Sequence, residues 1–209
     1  LHLSIRRQRQ MCIRDSGMIM PESIINIAPH GTLNVHYSLL PHWRGASPVE
    51  QTILSDDTHT GVSIQKMRKR LDSGPIIATS QTMVLRNETA PSLRTRLNAL
   101  ACDILPSTIN AWTTGQLTPI EQDETLATFC RKFSKTDGEI HLTDNPEMVW
   151  RKYRAYIHWP GIYFFTPEGK RMKIALMHKE KHACIITRII SEGKTETSVH
   201  INIGKDKTN

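Results

Sequence analysis

The stretch that decides the fold reads Gly31-Thr32-Leu33-Asn34-Val35-His36-Tyr37-Ser38-Leu39-Leu40-Pro41-His42-Trp43-Arg44-Gly45-Ala46. Apolar and polar residues alternate over positions 33–38, which predicts a β-strand. Asn34 and His36 lie two positions apart, so both side chains leave the same face of that strand. Pro41 has no amide hydrogen and is expected to end the strand in a loop. The stretch therefore predicts a strand that presents an amide and an imidazole near its carboxyl end.

A second strand is predicted after a short helix. Residues 46–56 have helical character, and residues 61–67 alternate again. Strand, helix and strand in this order predict a right-handed βαβ crossover, in which both strands are parallel and end at one edge of the sheet. Asp72 follows the second strand, and one residue, Ser73, separates it from a Gly-Pro turn. We therefore expect its carboxylate to emerge beside Asn34 and His36.

The motif as a whole resembles a known family. The string Leu-Asn-Val-His-x-Ser-Leu-Leu-Pro-x-Trp-Arg-Gly-Ala begins at Leu33, and Asp72 follows 36 positions after His36 in Leu-Asp-Ser-Gly-Pro. This combination is similar to the 10-formyltetrahydrofolate-dependent formyltransferases, and within them to the members that act on methionyl-tRNA. The resemblance extends from about residue 17 to about residue 177. Without Asp72, an Asn-x-His pair on a strand is more typical of a half-exposed polar face.

The resemblance implies a formyl transfer in which three side chains are catalytic. Asn34 would donate a hydrogen bond to the oxygen that becomes negatively charged. His36 would stabilise that oxygen or accept a proton, because an imidazole can do either near neutral pH. Asp72 would hold the imidazole or a water molecule that carries the proton.

The loop after the strand carries the contacts that the resemblance implies for the co-substrate, 10-formyltetrahydrofolate. In the family this segment lines the folate site, which assigns that role to Ser38, Leu39, Leu40 and Pro41. Ser38 is interpreted as a loop contact and not as a nucleophile, because no Gly-x-Ser-x-Gly segment surrounds it. Arg44 is expected to meet the glutamate tail of the folate or the substrate. No metal is expected.

The resemblance also implies an α/β fold with two parts. Residues 17–118 would form the C-terminal half of a doubly wound, Rossmann-like formyltransferase domain, and residues 146–209 a small β-barrel similar to the oligonucleotide-binding type. Residues 119–145 are polar and poorly periodic, so we expect a surface linker. Residues 1–16 fit neither part and receive no role; the catalytic domain is expected to be shortened at its N-terminus and the barrel to be incomplete.

Periodicity predicts the remaining elements. Helices are expected at 21–28, 89–112 and 148–156, strands at 162–165, 172–177, 183–190 and 197–203, and a pair of strands within 75–85. Thr89 can cap the long helix, and Gly115 can end it.

Composition excludes several classes of protein. The chain has 209 residues and a mean hydropathy of −0.38, and it has no apolar run as long as a membrane span. Its four cysteines are widely separated, which argues against a zinc site or a disulfide framework and favours a reducing compartment. We therefore expect a monomer without membrane contact, located in the bacterial cytosol or, in a eukaryote, in an organelle matrix.

The positive charge is concentrated in the C-terminal part. Residues 131–209 carry 15 Lys and Arg against 9 Asp and Glu, whereas residues 1–130 carry 12 against 11. Such an excess favours a polyanionic partner such as RNA, although a solvated basic surface explains the charge equally well.

Three functions are compatible with these patterns. The first is transfer of a formyl group from 10-formyltetrahydrofolate to the amino group of initiator methionyl-tRNA. The second is formylation of a small amine, such as a nucleotide sugar or glycinamide ribonucleotide, which would not need the basic residues 160–209. The third is a non-catalytic, RNA-binding remnant that has lost the folate-binding half of the domain.

Overall fold

The computed structural model describes residues 21–191 and 193–204, so the expectation for residues 1–16 lies outside the described residues. The chain divides into two compact units, which are not contiguous in sequence. Within the described residues, the first contains residues 21–48, 60–82 and 97–131, and the second contains residues 49–59, 83–96, 132–191 and 193–204. The domain boundaries expected from the sequence assume contiguous segments and stay a prediction.

The elements follow one another in a mixed α/β order. They are α1 (Glu22–Ile25), β1 (Leu33–His36), β2 (Arg44–Gly45), α2 (Pro48–Leu54), β3 (His59–Lys66), β4 (Ile76–Met83), α3 (Ala90–Thr113), β5 (Phe129–Cys130), α4 (Pro146–Tyr156), β6 (Tyr163–Phe165), β7 (Arg171–Glu180), β8 (Ala183–Ser191) and β9 (Glu196–Ile203). Short 3-10 turns occupy Glu124–Leu126 and Lys135–Gly138. None of the helices within the described ranges is long and apolar enough to cross a membrane.

The first sheet has the strand order β1-β3-β4, and β3 is its central strand. Strand β1 pairs with β3 in antiparallel orientation, with Asn34 opposite Gln65 and His36 opposite Ser63. The predicted parallel βαβ crossover is therefore wrong. Alternation looks the same in parallel and antiparallel strands, so the pattern identified both strands but not their relative direction. The expected pair of strands at 75–85 is also wrong, because a single eight-residue strand, β4, occupies this region.

Helix α3 confirms the amphipathic pattern. Leu93 and Leu97 on its apolar face are completely buried. At its start, the Ser92 N–H donates to Thr89 Oγ1 over 3.5 Å. At its end, Gly115 has φ +72° and the Gln116 N–H donates to the Ala111 carbonyl over 2.8 Å, the pattern of a glycine-terminated helix.

The C-terminal residues form helix α4 and a four-stranded antiparallel sheet with the order β6-β7-β8-β9. Asn145 caps α4 by accepting the Glu147 N–H over 2.8 Å. The sheet buries Ile174, Met177 and Ile186. The α/β class and the small β-rich second part are confirmed. Within the residues that the structure describes, however, β6 and β9 do not pair, so these strands form an open sheet and not a closed barrel.

Candidate active site

The carboxylate of Asp72 lies at the centre of a polar cluster in the first unit. Its Oδ1 accepts hydrogen bonds from Asn34 Nδ2 over 3.3 Å and from Gln65 Nε2 over 3.0 Å. Its Oδ2 accepts the backbone N–H of Gly45 over 2.9 Å. The Asp72 side chain is only 8% exposed. Three donors on two oxygens thus hold the carboxyl plane in one orientation and satisfy a polar group that is nearly buried.

The imidazole of His36 is held from both sides. Its Nε2 lies 2.9 Å from the carbonyl oxygen of Trp43, and its Nδ1 lies 3.7 Å from Asp72 Oδ2. Because a carbonyl oxygen can only accept, we assign a hydrogen to Nε2. Nδ1 then faces the carboxylate at a distance that tightens easily into a hydrogen bond when the imidazole is protonated.

Antiparallel pairing explains how Asp72 reaches the other two side chains. Because β3 runs against β1, the end of β3 lies beside the start of β1, and the register places Gln65 opposite Asn34. Asp72 follows β3 after five residues, in a left-handed conformation with φ +47°. The structure therefore brings Asn34, His36 and Asp72 together, although through a topology different from the predicted one.

Two glycines allow the backbone to approach closely enough for these contacts. A Cβ on Gly45, which has φ +125°, would lie 2.0 Å from the carbonyl oxygen of Cys130. A Cβ on Gly74 would lie 1.7 Å from the carbonyl oxygen of Lys66. Any side chain at either position would displace the backbone that carries Asp72 or its Gly45 donor.

The loop of Ser38, Leu39, Leu40 and Pro41 is fixed by hydrogen bonds within the protein. Ser38 Oγ donates to the His42 carbonyl over 2.5 Å. Ser63 Oγ donates to the Ser38 carbonyl over 2.7 Å and accepts the Leu40 N–H over 2.9 Å. Ser38 and Leu40 are buried, whereas Leu39 and Pro41 are half-buried. Leu39 and Pro41 are thus the members of the loop that retain apolar surface for a ligand.

The structure places the Arg44 side chain inside the first unit. Its side chain is completely buried. Nε and Nη2 donate to Gln122 Oε1 over 2.9 and 2.7 Å, and Nη1 and Nη2 donate to the Glu124 carboxylate over 3.1 and 2.9 Å. The guanidinium therefore makes its hydrogen bonds with side chains of the protein. The expectation that Arg44 contacts the folate or the substrate stays a prediction.

Sequence reasoning missed two glutamines. Gln65 is 1% exposed within a strand whose residues 60–65 are all buried, and a long polar side chain at such a position signals a specific partner. Gln122 lies in the segment interpreted as a surface linker, where no pattern distinguishes it. Its Nε2 donates to the carbonyl oxygens of Asp72 and Gly74 over 2.9 and 2.6 Å.

The cluster supports proton and oxyanion chemistry. One amide hydrogen of Asn34 bonds Asp72, which leaves the other for a ligand oxygen. The His36 imidazole and the Asp72 carboxylate form a proton-holding pair, as in general acid–base sites. Over the ranges 21–191 and 193–204, no group of three or more His, Cys, Asp or Glu side chains could hold a metal ion.

Comparison with known proteins identifies relatives in sequence. The family described as formyl transferase matches residues 9–109, and its C-terminal domain matches residues 132–206. A methionyl-tRNA formyltransferase from Sulfurimonas denitrificans is 41% identical over 78% of this chain and 52% of its own length. A methionyl-tRNA formyltransferase from Geotalea daltonii is 34% identical over 90% of this chain and 57% of its own length. The chain thus spans about half the length of the curated relatives it matches.

A solved structure agrees in fold. The N-formyltransferase from Helicobacter canadensis, in complex with folinic acid and dTDP-3-aminofucose, superposes with a TM-score of 0.60 at 16% identity, over 74% of this chain and 61% of that chain. At this identity the likeness concerns the fold alone. Because the two domain matches together cover most of the described residues, the chain belongs to the formyl transferase family.

Proposed function

We propose that the protein transfers a formyl group from 10-formyltetrahydrofolate to the amino group of methionyl-tRNA. The observation that carries the proposal is the contact of one buried carboxylate, Asp72, with both His36 and Asn34. Membership of the formyl transferase family supports the reaction. The similarity to two methionyl-tRNA formyltransferases, at 34% and 41% identity, supports the substrate.

The chemistry follows from the donors and acceptors of the cluster. Transfer of a formyl group between two nitrogens places negative charge on the formyl oxygen and releases a proton from the attacking amine. Asn34 donates to the oxygen through its second amide hydrogen, and comparable donors are worth about 2.7–4 kcal/mol. The His36–Asp72 pair takes up the proton of the amine and returns a proton to the departing nitrogen. No covalent bond to the protein is needed.

The loop of Ser38, Leu39, Leu40 and Pro41 is the proposed contact for the folate. 10-Formyltetrahydrofolate supplies an activated formyl group on a molecule whose aminobenzoyl ring is a flat, largely apolar body, whereas its pterin ring is polar. Leu39 and Pro41 offer partly exposed apolar surface that fits such a body, while Ser38 and Leu40 keep the loop in shape. The apolar surface of the loop and the hydrogen-bonding groups of the cluster therefore suit this co-substrate.

The basic C-terminal part is the proposed contact for the tRNA. Residues 131–209 carry six more basic than acidic side chains. Contacts of Lys and Arg with phosphates would hold the tRNA with little sequence preference and with strong salt dependence. The protein would act as a monomer, in the bacterial cytosol or, in a eukaryote, in an organelle matrix.

The test is formylation of methionyl-tRNA by protein expressed from the entire reading frame that encodes this chain, with 10-formyltetrahydrofolate as donor. We expect formylmethionyl-tRNA as product, and loss of at least 100-fold in kcat with His36→Ala. Turnover of a nucleotide sugar amine in place of methionyl-tRNA would establish the second function. Salt-dependent binding of tRNA without turnover would establish the non-catalytic remnant.

A further inference from the structure

Residues 120–130, here called the bridging segment, join two loops of the first unit. At one end, Ile120 exchanges two backbone hydrogen bonds with Ile76, over 2.7 and 2.8 Å, just after the turn that contains Asp72. At the other end, the Thr128 carbonyl accepts the Arg44 N–H over 2.9 Å, and β5 pairs with β2. The segment expected to be a surface linker therefore ties the Asp72 turn to the Arg44 loop.

Gln122 makes the side-chain connection within this segment. Arg44 has only donors, so the oxygen of the Gln122 amide must point toward the guanidinium, where it accepts two N–H groups. The amide nitrogen then points the opposite way and donates to the carbonyl oxygens of Asp72 and Gly74. Glu124 pairs with the same guanidinium and keeps it in place. The orientation of the Gln122 amide is thus determined by its surroundings.

The backbone that Gln122 holds needs external support. Asp72 has φ +47°, a conformation that costs energy for a residue with a side chain and persists where neighbouring groups impose it. The two bonds from Gln122 fix the peptide group that follows Asp72 and the one that follows Gly74. Arg44, at the other end of the Gln122 amide, directly precedes Gly45, whose N–H holds Asp72 Oδ2. Gln122 therefore links the backbone of Asp72 with the residue next to its carboxylate donor.

We propose that Gln122 is a positioning residue that sets the direction of the Asp72 carboxylate toward His36, an inference that deepens the proposed function and rests on it for its kinetic test. Gln122 acts through Asp72 and does not touch the reacting groups. Its amide serves as a fixed two-sided connector, with the oxygen toward Arg44 and the nitrogen toward the turn. A carboxylate at this position would keep the Arg44 contact but present an acceptor to two carbonyl oxygens.

The informative variant is accordingly Gln122→Glu, with Gln116→Glu as a matched control. Gln116 is exposed in the same unit, so its substitution makes the same change of charge without touching the turn. We expect Gln122→Glu to lower kcat about 10- to 100-fold and to change KM for methionyl-tRNA less than about twofold. We expect the double variant with Asp72→Asn to be about as slow as Asp72→Asn alone, because Gln122 acts only through that carboxylate.

A measurement without substrate separates this inference from the proposed function. In protein with ¹⁵N-labelled histidine, His36→Gln identifies the His36 signals. We expect Gln122→Glu to move the His36 Nδ1 signal, which reports the distance to Asp72, more than the Nε2 signal at Trp43. If wild type does not formylate methionyl-tRNA but the Nδ1 signal moves, the proposed function fails and the positioning role stands.

The inference is overturned if Gln122→Glu leaves both kcat and the Nδ1 signal unchanged, or if the double variant is slower than Asp72→Asn by the full effect of the single change. Should Gln122→Glu fail to fold, Gln122→Met, which has neither donor nor acceptor, is measured in its place with the same expected loss. Failure of both variants to fold assigns Gln122 a purely structural role and also overturns the inference.

Discussion

Arg44 and Arg154 are both buried, but their surroundings differ. The Arg44 guanidinium is completely buried and donates four hydrogen bonds to Gln122 and Glu124. Arg154, in the second unit, is 5% exposed. Its Nη1 reaches the Glu88 carbonyl only at 3.3 Å, and its Nη2 lies 3.8 Å from Asp56. Among the described residues, its Nε has no hydrogen-bond partner.

Arg44 is a buried charge whose hydrogen bonds support a site, whereas Arg154 is a buried charge with few and long contacts. Burial is the main cause that lowers the pKa of the Arg154 guanidinium, and the nearby Asp56 only partly opposes it. A buried charge with imperfect partners contributes little to stability. Arg44, by contrast, is the end of a chain of contacts that leads through Gln122 to the backbone of Asp72. We therefore expect substitutions around Arg44 to affect kcat, and substitutions around Arg154 to leave kcat unchanged.

The largest effect on kcat is expected from Asp72, the carboxylate to which the contacts of Arg44 lead. Asp72→Asn should lower kcat by about 10²–10⁴, because His36 loses the anion that assists proton transfer. Asp56→Asn is the matched control, since Asp56 also has a positive φ, which asparagine tolerates, and it contacts Arg154. Steady-state formylation kinetics measure both variants. Equal losses in the two variants would remove the distinction between the regions.

Much of the cluster could be predicted from the sequence because its members belong to short motifs. Asn34 and His36 share a strand face because of the alternation. The assignment of Asp72 depends on the family resemblance, since the parallel crossover expected to bring it there is wrong. Helix α3 and strands β6 to β9 also follow from the periodicity of their sequences. What these parts share is that the information lies within a few consecutive residues.

The remaining parts depend on pairings over long separations. The direction of β1 against β3 is fixed by their hydrogen-bond register, which alternation does not encode. Arg44 and Gln122 are 78 positions apart, and neither residue type in its local sequence indicates a buried partner. The contact between Arg44 and Gln122 was therefore not predicted from the sequence.

Substitution of Arg44 tests how much its buried hydrogen bonds contribute to the free energy of unfolding. Arg44→Met should lower the free energy of unfolding by about 3 kcal/mol, because the Gln122 amide oxygen loses its donors and Glu124 keeps only its ion pair with Arg70. Urea unfolding at neutral pH measures the change. A loss below about 1 kcal/mol would mean that Arg44 organises the loop no better than an apolar side chain.

The same substitution at Arg154 should have a smaller effect. Arg154→Met should change the free energy of unfolding by no more than about 1 kcal/mol in either direction, because the apolar side chain avoids the desolvation of a poorly paired guanidinium. Asp56 is 59% exposed and would be solvated after the change. A loss as large as that of Arg44→Met in the same urea experiment would show that the long contacts of Arg154 matter as much as the short ones of Arg44.

The smallest effect concerns the outer partner of Arg44 and depends on pH. The hydrogen bond from Arg44 is the main cause that lowers the pKa of the Glu124 carboxyl from its ordinary value of 4.5. A carboxyl whose pKa is lower in the folded state contributes stability above its unfolded pKa, and this contribution is lost as the pH falls through the folded value. The difference in melting temperature between wild type and Glu124→Gln should therefore be present at neutral pH and shrink below about pH 4.5.

Glu121→Gln, which removes the neighbouring exposed ion pair with Arg68, is the control for a general charge effect. A difference that grows on acidification would contradict the assignment of Glu124 as an ionised partner of Arg44.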